Sequence, residues 1–228
     1  MTSPYYQDDH VTIYHGDCRE ITEWLTADVL VTDPPYGRSW RQGVIGSDSL
    51  NKASRSGIAN DADTSVRDQA LEAWGKRPAI LFGDLMLTPP SATKLVAIYH
   101  KTDAAAGLRG AIAGVRRDTE AIYFVGPWPS GLGGRSSLFA TTRRVTSSTG
   151  VVAKCGGHPH TKPDDVMGAL IGLCPPGVIV DPFAGSGSTL RAAKDLGRKA
   201  IGIEVDERYC EIAANRMGQE VLDFGGVA

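Results

Sequence analysis

The sequence predicts an α/β protein built on a doubly wound sheet, and three observations carry that prediction. Short apolar runs rich in Val, Ile, Leu and Ala recur at 11–15, 28–32, 79–82, 95–100, 121–125, 178–181 and 200–204. Helical patterns fall between several of them, the alternation expected of an α/β sheet whose strands are covered on both faces. The length of 228 residues suits one domain, 1–228, with a sizeable core.

Each element has a local reason. The run at 11–15 leads to Gly16-Asp17, and Asp17 with Glu20 three residues on is a capping pattern that predicts a helix over 18–25. The run at 28–32 ends in Asp33-Pro34-Pro35-Tyr36. Residues 38–64 are rich in Gly, Ser, Asn and Arg and read as a long mobile loop. After the runs at 79–82, 95–100 and 121–125, residues 126–158 form a second Gly/Ser/Thr-rich stretch, with weak strand signals at 137–142 and 150–153. Asp164 or Asp165 caps a helix through Leu173, which stops before Pro175-Pro176. A helix over 188–196 closes at Gly197. The last helix, 207–217, places Tyr209, Ile212, Ala213 and Met217 near one face. Long irregular stretches in a compact domain are more often functional than accidental, so 38–64 and 126–157 are candidate mobile or target-recognition segments.

Composition narrows the function classes. No apolar run approaches the roughly 20 residues that cross a bilayer. The polar opening from Met1 to Asp9 lacks a signal-peptide pattern. Cys18, Cys155, Cys174 and Cys210 are scattered without a CxxC pair, so a reducing cytoplasm is expected. Cys155, His158 and His160 are close together but lack a fourth ligand or a second pair, and no metal is expected. The net charge of −2 hides a patterned distribution. Arg135, Arg143, Arg144 and Lys154 occupy a stretch, 126–160, with no acidic residue. Arg38, Arg41, Lys52 and Arg55 face only Asp48, and Arg109, Arg116 and Arg117 form a third group. Phosphate contact needs only such a local positive face.

The chemistry concentrates in two places. Val178 to Asp181 reads as a buried strand that runs into Phe183-Ala184-Gly185-Ser186-Gly187 and then a helix, the plan of a nucleotide-type site in which glycines let a ligand approach the backbone. No Lys follows the glycines, so this is not a P-loop. Leu190 occupies the third glycine position of G-x-G-x-x-G, so a dinucleotide is the weaker reading. Glu204 ends the next strand, close to twenty residues on, where a carboxylate can accept from both ribose hydroxyls. The second place is Asp33-Pro34-Pro35-Tyr36, which by itself is also a common turn after a strand.

Together, Asp33-Pro34-Pro35-Tyr36 followed far downstream by Asp181-Pro182-Phe183-Ala184-Gly185-Ser186-Gly187-Ser188-Thr189 resembles the β-group of DNA adenine-N6 and cytosine-N4 methyltransferases. The resemblance implies the S-adenosylmethionine-dependent methyltransferase (Rossmann-like) fold, a seven-stranded mixed sheet with one antiparallel strand, and a circularly permuted motif order. It implies S-adenosyl-L-methionine as cofactor, held by Gly185, Ser186, Gly187 and Thr189, with Glu204 on the ribose. Asp17 would contact the adenine amino group of the cofactor, Phe183 would pack near it, and Asp181 would reach its ammonium group. His158-Pro159-His160-Thr161-Lys162-Pro163 resembles the family's H-P-T-x-K-P segment, with His160 where Thr is usual. Lys162 is carried over from it. Glu120 resembles an acidic residue entering a strand and is assigned no chemistry.

The implied catalytic set is Asp33, Pro34, Pro35 and Tyr36. A nucleobase amino group is a poor nucleophile because its lone pair is delocalised into the ring. A carboxylate oxygen of Asp33 and the Pro34 carbonyl, held extended by Pro35, would accept its two hydrogens. Tyr36 would offer an aromatic face for the extracted base, worth about 1–3 kcal/mol. Neither amino nitrogen is reachable inside a stacked duplex, so base flipping is implied, with 38–64 as the loop that closes over the base. Asp at position 33, rather than Ser, resembles adenine-N6 enzymes. The expected activity is therefore N6-adenine DNA methylation, of the restriction-modification kind, in the cytoplasm of a prokaryotic cell or phage-infected host. Cytosine-N4 methylation and then RNA adenine methylation are the alternatives, and a non-catalytic cofactor-binding protein is the rival of another class. The partner implied is DNA, with neither membrane nor metal. A homodimer is compatible with the family's habits.

Overall fold

The structure, a computed structural model, describes residues 2–39, 59–102, 111–131, 133–141 and 161–219. Most of 38–64, the strand signal at 150–153, and Cys155, His158 and His160 lie outside the described residues.

Among the described residues nine strands form one sheet. They are β1 (Tyr6–Gln7), β2 (Val11–His15), β3 (Val29–Thr32), β4 (Ala79–Gly83), β5 (Thr93–Lys101), β6 (Thr119–Val125), β7 (Leu138–Thr141), β8 (Ile179–Asp181) and β9 (Ala200–Glu204). The order across the sheet is β1-β2-β9-β8-β3-β4-β6-β5-β7. Strands β2, β9, β8, β3 and β4 pair in parallel. Strand β6 runs antiparallel to both β4 and β5.

The expected mixed α/β class holds, but the expected count of seven strands is corrected to nine. The seven central strands are those read from the apolar runs. The two additions are edge strands. At two residues, β1 is too short to carry a pattern. It pairs antiparallel with β2, so β6 is not alone in running against its neighbours. Strand β7 coincides with the weak signal at 137–142 and pairs in parallel with β5. Leu138 and Ala140 are exposed in it, as an edge permits, and exposure removes the apolar run that marks a central strand.

The helices are α1 (Ser65–Trp74), α2 (Asp164–Ile171), α3 (Ser188–Asp195) and α4 (Glu207–Gly218). Helix α1 is an addition: only Val66, Ala70 and Trp74 form its buried apolar stripe, a pattern thin enough to pass for a polar loop. The helix expected over 18–25 is replaced by a turn and a short 3₁₀ segment, Glu23–Thr26. The cap itself forms, since Asp17 accepts from the Arg19 amide at 2.9 Å, but the helix does not propagate. The Trp24 indole donates to the Cys18 carbonyl at 2.8 Å, and its ring stacks on Trp74 at 5.9 Å. Burying Trp24 against α1 decides the path of the chain over any helical preference.

Neighbouring strand residues point to opposite faces, and the core divides accordingly. Val31, Ile80, Phe82 and Tyr99 meet α2, α3 and α4 on one side. Leu30, Leu81, Tyr123 and Val180 meet Trp24 and Trp74 on the other. The sheet is thus wound on both faces. Strands β8 and β3 are neighbours, and the chain leaves the end of β8 toward β9 on one side and the end of β3 toward β4 on the other. That switch point is where open α/β sheets bind ligands.

Candidate active site

Adjacent β8 and β3 bring together residues 149 positions apart. Thr32 donates to Asp181 Oδ1 at 2.5 Å, Thr189 donates to Oδ2 at 2.6 Å, and the Phe183 amide donates to Oδ1 at 3.0 Å. Asp181 is buried. Burial pushes its carboxyl up to about 6, against the three hydrogen bonds that favour the anion.

The loop after β8 turns on two glycines with positive φ, Gly185 at +51° and Gly187 at +80°, a conformation that disfavours any residue with a Cβ. Gly187 is the N-cap of α3. A Cβ there would sit 3.0 Å from the Ala213 Cβ, so the position also sets how closely α4 approaches. Glu204, at the end of β9, pins the loop. It accepts from the Gly185 amide at 2.7 Å and from the Asp206 amide at 2.8 Å. Burial raises its pKa above the ordinary value.

At the end of β3 the tetrapeptide joins a charged cluster. The Lys162 ammonium is paired with Asp33, lies 3.3 Å from the Tyr36 hydroxyl and 3.3 Å from Glu120, and sits over the Phe82 ring at 4.7 Å. The Tyr36 hydroxyl lies 2.8 Å from Asp33 and 3.0 Å from Glu120 and can donate to one of them at a time. Lys101 pairs with the other oxygen of Glu120. Burial pushes the Tyr36 phenol well above its usual range, and the Asp33 and Glu120 carboxylates push it further, so it stays a donor. Burial works against the Lys162 charge, but those same carboxylates outweigh it and hold the ammonium protonated.

One cavity of about 740 Å³ connects the two halves, a size suited to a nucleotide-sized ligand. Asp17, Asp33, Pro34, Pro35, Tyr36, Lys162, Asp181, Phe183, Gly185, Ser186, Thr189 and Glu204 all line it. Gly187 does not; its place is behind the loop, at the head of α3. Glu120, read from the sequence as structural, also lines the cavity and touches both Tyr36 and Lys162. Its signal was only an acidic residue entering an apolar strand. Thr32 and Thr161 were likewise not singled out. Thr161 shares a 3.1 Å hydrogen bond with Ser186, which ties the loop to the segment that carries Lys162. Among the described residues no group of His, Cys, Asp and Glu has the geometry of a metal site, and no helix is long and apolar enough to cross a membrane.

With this geometry in place, the comparisons with known proteins become specific. The profile of the DNA methylase family matches residues 117–215, from β6 to α4 and including the glycine loop. Over that stretch the chain is similar to the DNA methylases. Curated type II methyltransferases are also similar to part of the chain. The type II methyltransferase M.ScaI of Streptomyces caespitosus is 45% identical over 65 residues, covering 28% of this chain and 21% of its own length. M.HindIII of Haemophilus influenzae is 46% identical over 67 residues, covering 28% and 22%. The match thus spans about a fifth of the length of these relatives. Solved structures share the fold over nearly the whole chain. PvuII DNA methyltransferase (cytosine-N4-specific) superposes with a TM-score of 0.66 at 16% identity, covering 97% of this chain and 91% of that one. The M1.HpyAVI-SAM complex superposes at 0.61 with 20% identity, covering 91% and 100%. The tetrapeptide at 33–36 lies outside the family match.

Proposed function

We propose that the chain transfers the methyl group of S-adenosylmethionine to the exocyclic N6 of adenine in DNA. One observation carries the reading: the cluster of Asp33, Tyr36, Lys162 and Glu120 shares a single cavity with the glycine loop and Glu204. The residues fit the cofactor. The loop lines the cavity at Gly185 and Ser186, and Glu204 lines it beside them as an acceptor for ribose hydroxyls. Asp17 lies at the far rim. S-adenosylmethionine supplies, when bound, a sulfonium methyl open to in-line displacement.

The protein's part is positioning more than acid–base chemistry. Asp33 and the Pro34 carbonyl accept the two amino hydrogens and favour a nitrogen whose lone pair points out of the ring plane. On methylation the nitrogen would lose a proton, and Asp33 would be the group beside it to receive it. Lys162 pairs with Asp33 and fixes its position, and Glu120 balances Lys162. The face of Tyr36 supports the base. These acceptors serve cytosine N4 equally well in chemical terms. Asp at position 33 is the feature that favours adenine.

The test is nucleoside mass spectrometry on unmethylated DNA and RNA incubated separately with the protein and S-adenosylmethionine. N6-methyladenine in DNA supports the proposal. N4-methylcytosine in its place keeps the chemistry and overturns the base assignment. No product on either polymer, with cofactor bound, overturns the catalytic reading in favour of a binding protein.

A further inference from the structure

At the Asp33 end, the cavity opens between two small turns that neither the cofactor nor the reacting base explains. The first follows β4. Asp84 closes it by accepting from the Met86 amide at 2.8 Å, and the Leu87 amide donates to the Asp84 carbonyl at 3.2 Å. That carbonyl also accepts from the Tyr123 hydroxyl at 3.0 Å, and the Asp84 carboxylate pairs with Arg38 at 2.7 Å. The turn is therefore braced from three sides, yet it presents Met86 80% exposed. The second is a two-residue hairpin in which Ile112 and Val115 exchange backbone bonds of 3.0 and 2.9 Å. Ala113 and Gly114 both have positive φ there, +52° and +81°, the pattern of a type I′ turn held with a strained alanine. Ile112 at its base is 64% exposed. Arg116 and Arg117 follow. The two turns line the same cavity, Asp84, Leu85 and Met86 from the first and Ile112, Arg116 and Arg117 from the second. Met86, Ile112, Arg38, Arg116 and Arg117 all line the cavity mouth.

A large apolar side chain on a braced turn, lining a cavity that Arg38, Arg116 and Arg117 also line, is unfavourable in water and has a specific use. Extruding a base leaves a gap in the stack, and proteins that unstack duplex DNA fill such gaps with apolar side chains, methionine among them. Arginines beside the wedge suit the flanking phosphates. We propose that Met86 is the wedge that enters duplex DNA where the target base has left it, an inference that rests on the methyl-transfer reading above.

The experiment measures transfer of tritiated methyl from S-adenosylmethionine to unmethylated genomic DNA, native and heat-denatured. Denatured DNA has no stack to hold open. The expected result is that Met86→Ala lowers the rate on native DNA about tenfold or more, the scale set by unstacking one step, and leaves denatured DNA within about twofold of wild type. Met86→Leu, which keeps the apolar bulk, restores most of the rate on native DNA. Equal loss on both substrates, or no loss on either, overturns the wedge. So does a loss selective for native DNA in Ile112→Ala but absent in Met86→Ala. A wild-type chain that binds the cofactor but labels neither polymer overturns the methyl-transfer reading itself. The failure of the wedge alone is seen only against an active wild type.

Discussion

Asp33 is asked to do two things that pull against each other. In the proposed reaction it accepts a hydrogen from a neutral amino group, yet it sits in a partly buried cluster beside Glu120. Lys162 resolves the conflict by pairing with both. Removing Asp33 therefore removes an acceptor aimed at the reacting nitrogen without touching the glycine loop. Asp33→Ala is expected to lower the transfer rate at least about a hundredfold, the cost of deleting one preorganised polar partner. Calorimetric S-adenosylmethionine affinity should change little. A matching loss of cofactor affinity would show that Asp33 acts through the fold. Asp181 makes the opposite case. Its folded pKa of about 6 lies above the unfolded 3.8, so the fold binds its proton more tightly than the unfolded chain does. Its contribution to stability is full below the unfolded value and is lost as pH rises through about 6. At neutral pH the buried charge costs on the order of 1–3 kcal/mol. Asp181→Asn removes that cost while the amide can still meet Thr32, Thr189 and the Phe183 amide. Thermal unfolding should show a higher midpoint for the variant at pH 7.5 and little difference at pH 4. A lower midpoint at pH 7.5 would mean that the hydroxyls cannot reverse to suit an amide.

Elements were legible in the sequence in proportion to their burial. Strands β3, β4, β6, β8 and β9 are buried along most of their length on both faces, and each was readable as a run. Strand β7 and helix α1 are half-exposed, so their sequences carry too few apolar positions to stand out. The region of 18–25 misled for a different reason. A capping pattern is local, and the Trp24–Trp74 stack that overrides it joins residues 50 positions apart. The site shows the same division. The glycine loop and the tetrapeptide are contiguous and were readable, whereas Glu120 and Thr32 act only because β6 and β3 happen to deliver them. Packing of one element on another gives a prediction at this scale. Gly202 in β9 lies under α3, and a Cβ there would stand 2.6 Å from a Leu190 methyl and 3.0 Å from the Ala184 Cβ. Leu190 is fully buried and cannot swing away. Gly202→Val should thus overpack the joint between β9 and the loop helix, costing about 1–3 kcal/mol. Urea unfolding should show a lower midpoint with an unchanged slope.

At the scale of the whole molecule, the puzzle is a chain of net charge −2 that is proposed to hold a polyanion. The resolution is distribution. Asp17, Asp181 and Glu204 are turned into the cavity, where backbone amides, threonines and Arg19 engage them. Arg38, Arg116 and Arg117 stand at its mouth. Arg38 and Arg116 are tied to Asp84 and Asp118, which fixes their heads but halves their net field. Arg117 is exposed and lines the cavity with Asp84. It is therefore the side chain whose charge should count most toward a phosphate. Each cation that neutralises a phosphate releases condensed counterions, so affinity falls with salt by a slope close to the number of such contacts. Arg117→Ala should weaken binding to duplexes of unrelated sequence by similar factors, and should reduce the slope of log affinity against log salt by about one. Cofactor affinity should stay unchanged, since Arg117 lies at the opposite end of the cavity from Glu204 and Asp17. Fluorescence anisotropy of labelled duplexes between 50 and 200 mM salt, about the range in which phosphate contacts dominate, measures both quantities. An unchanged slope would place the phosphate path elsewhere on the surface. A loss confined to one sequence would make Arg117 a reader of bases rather than of backbone.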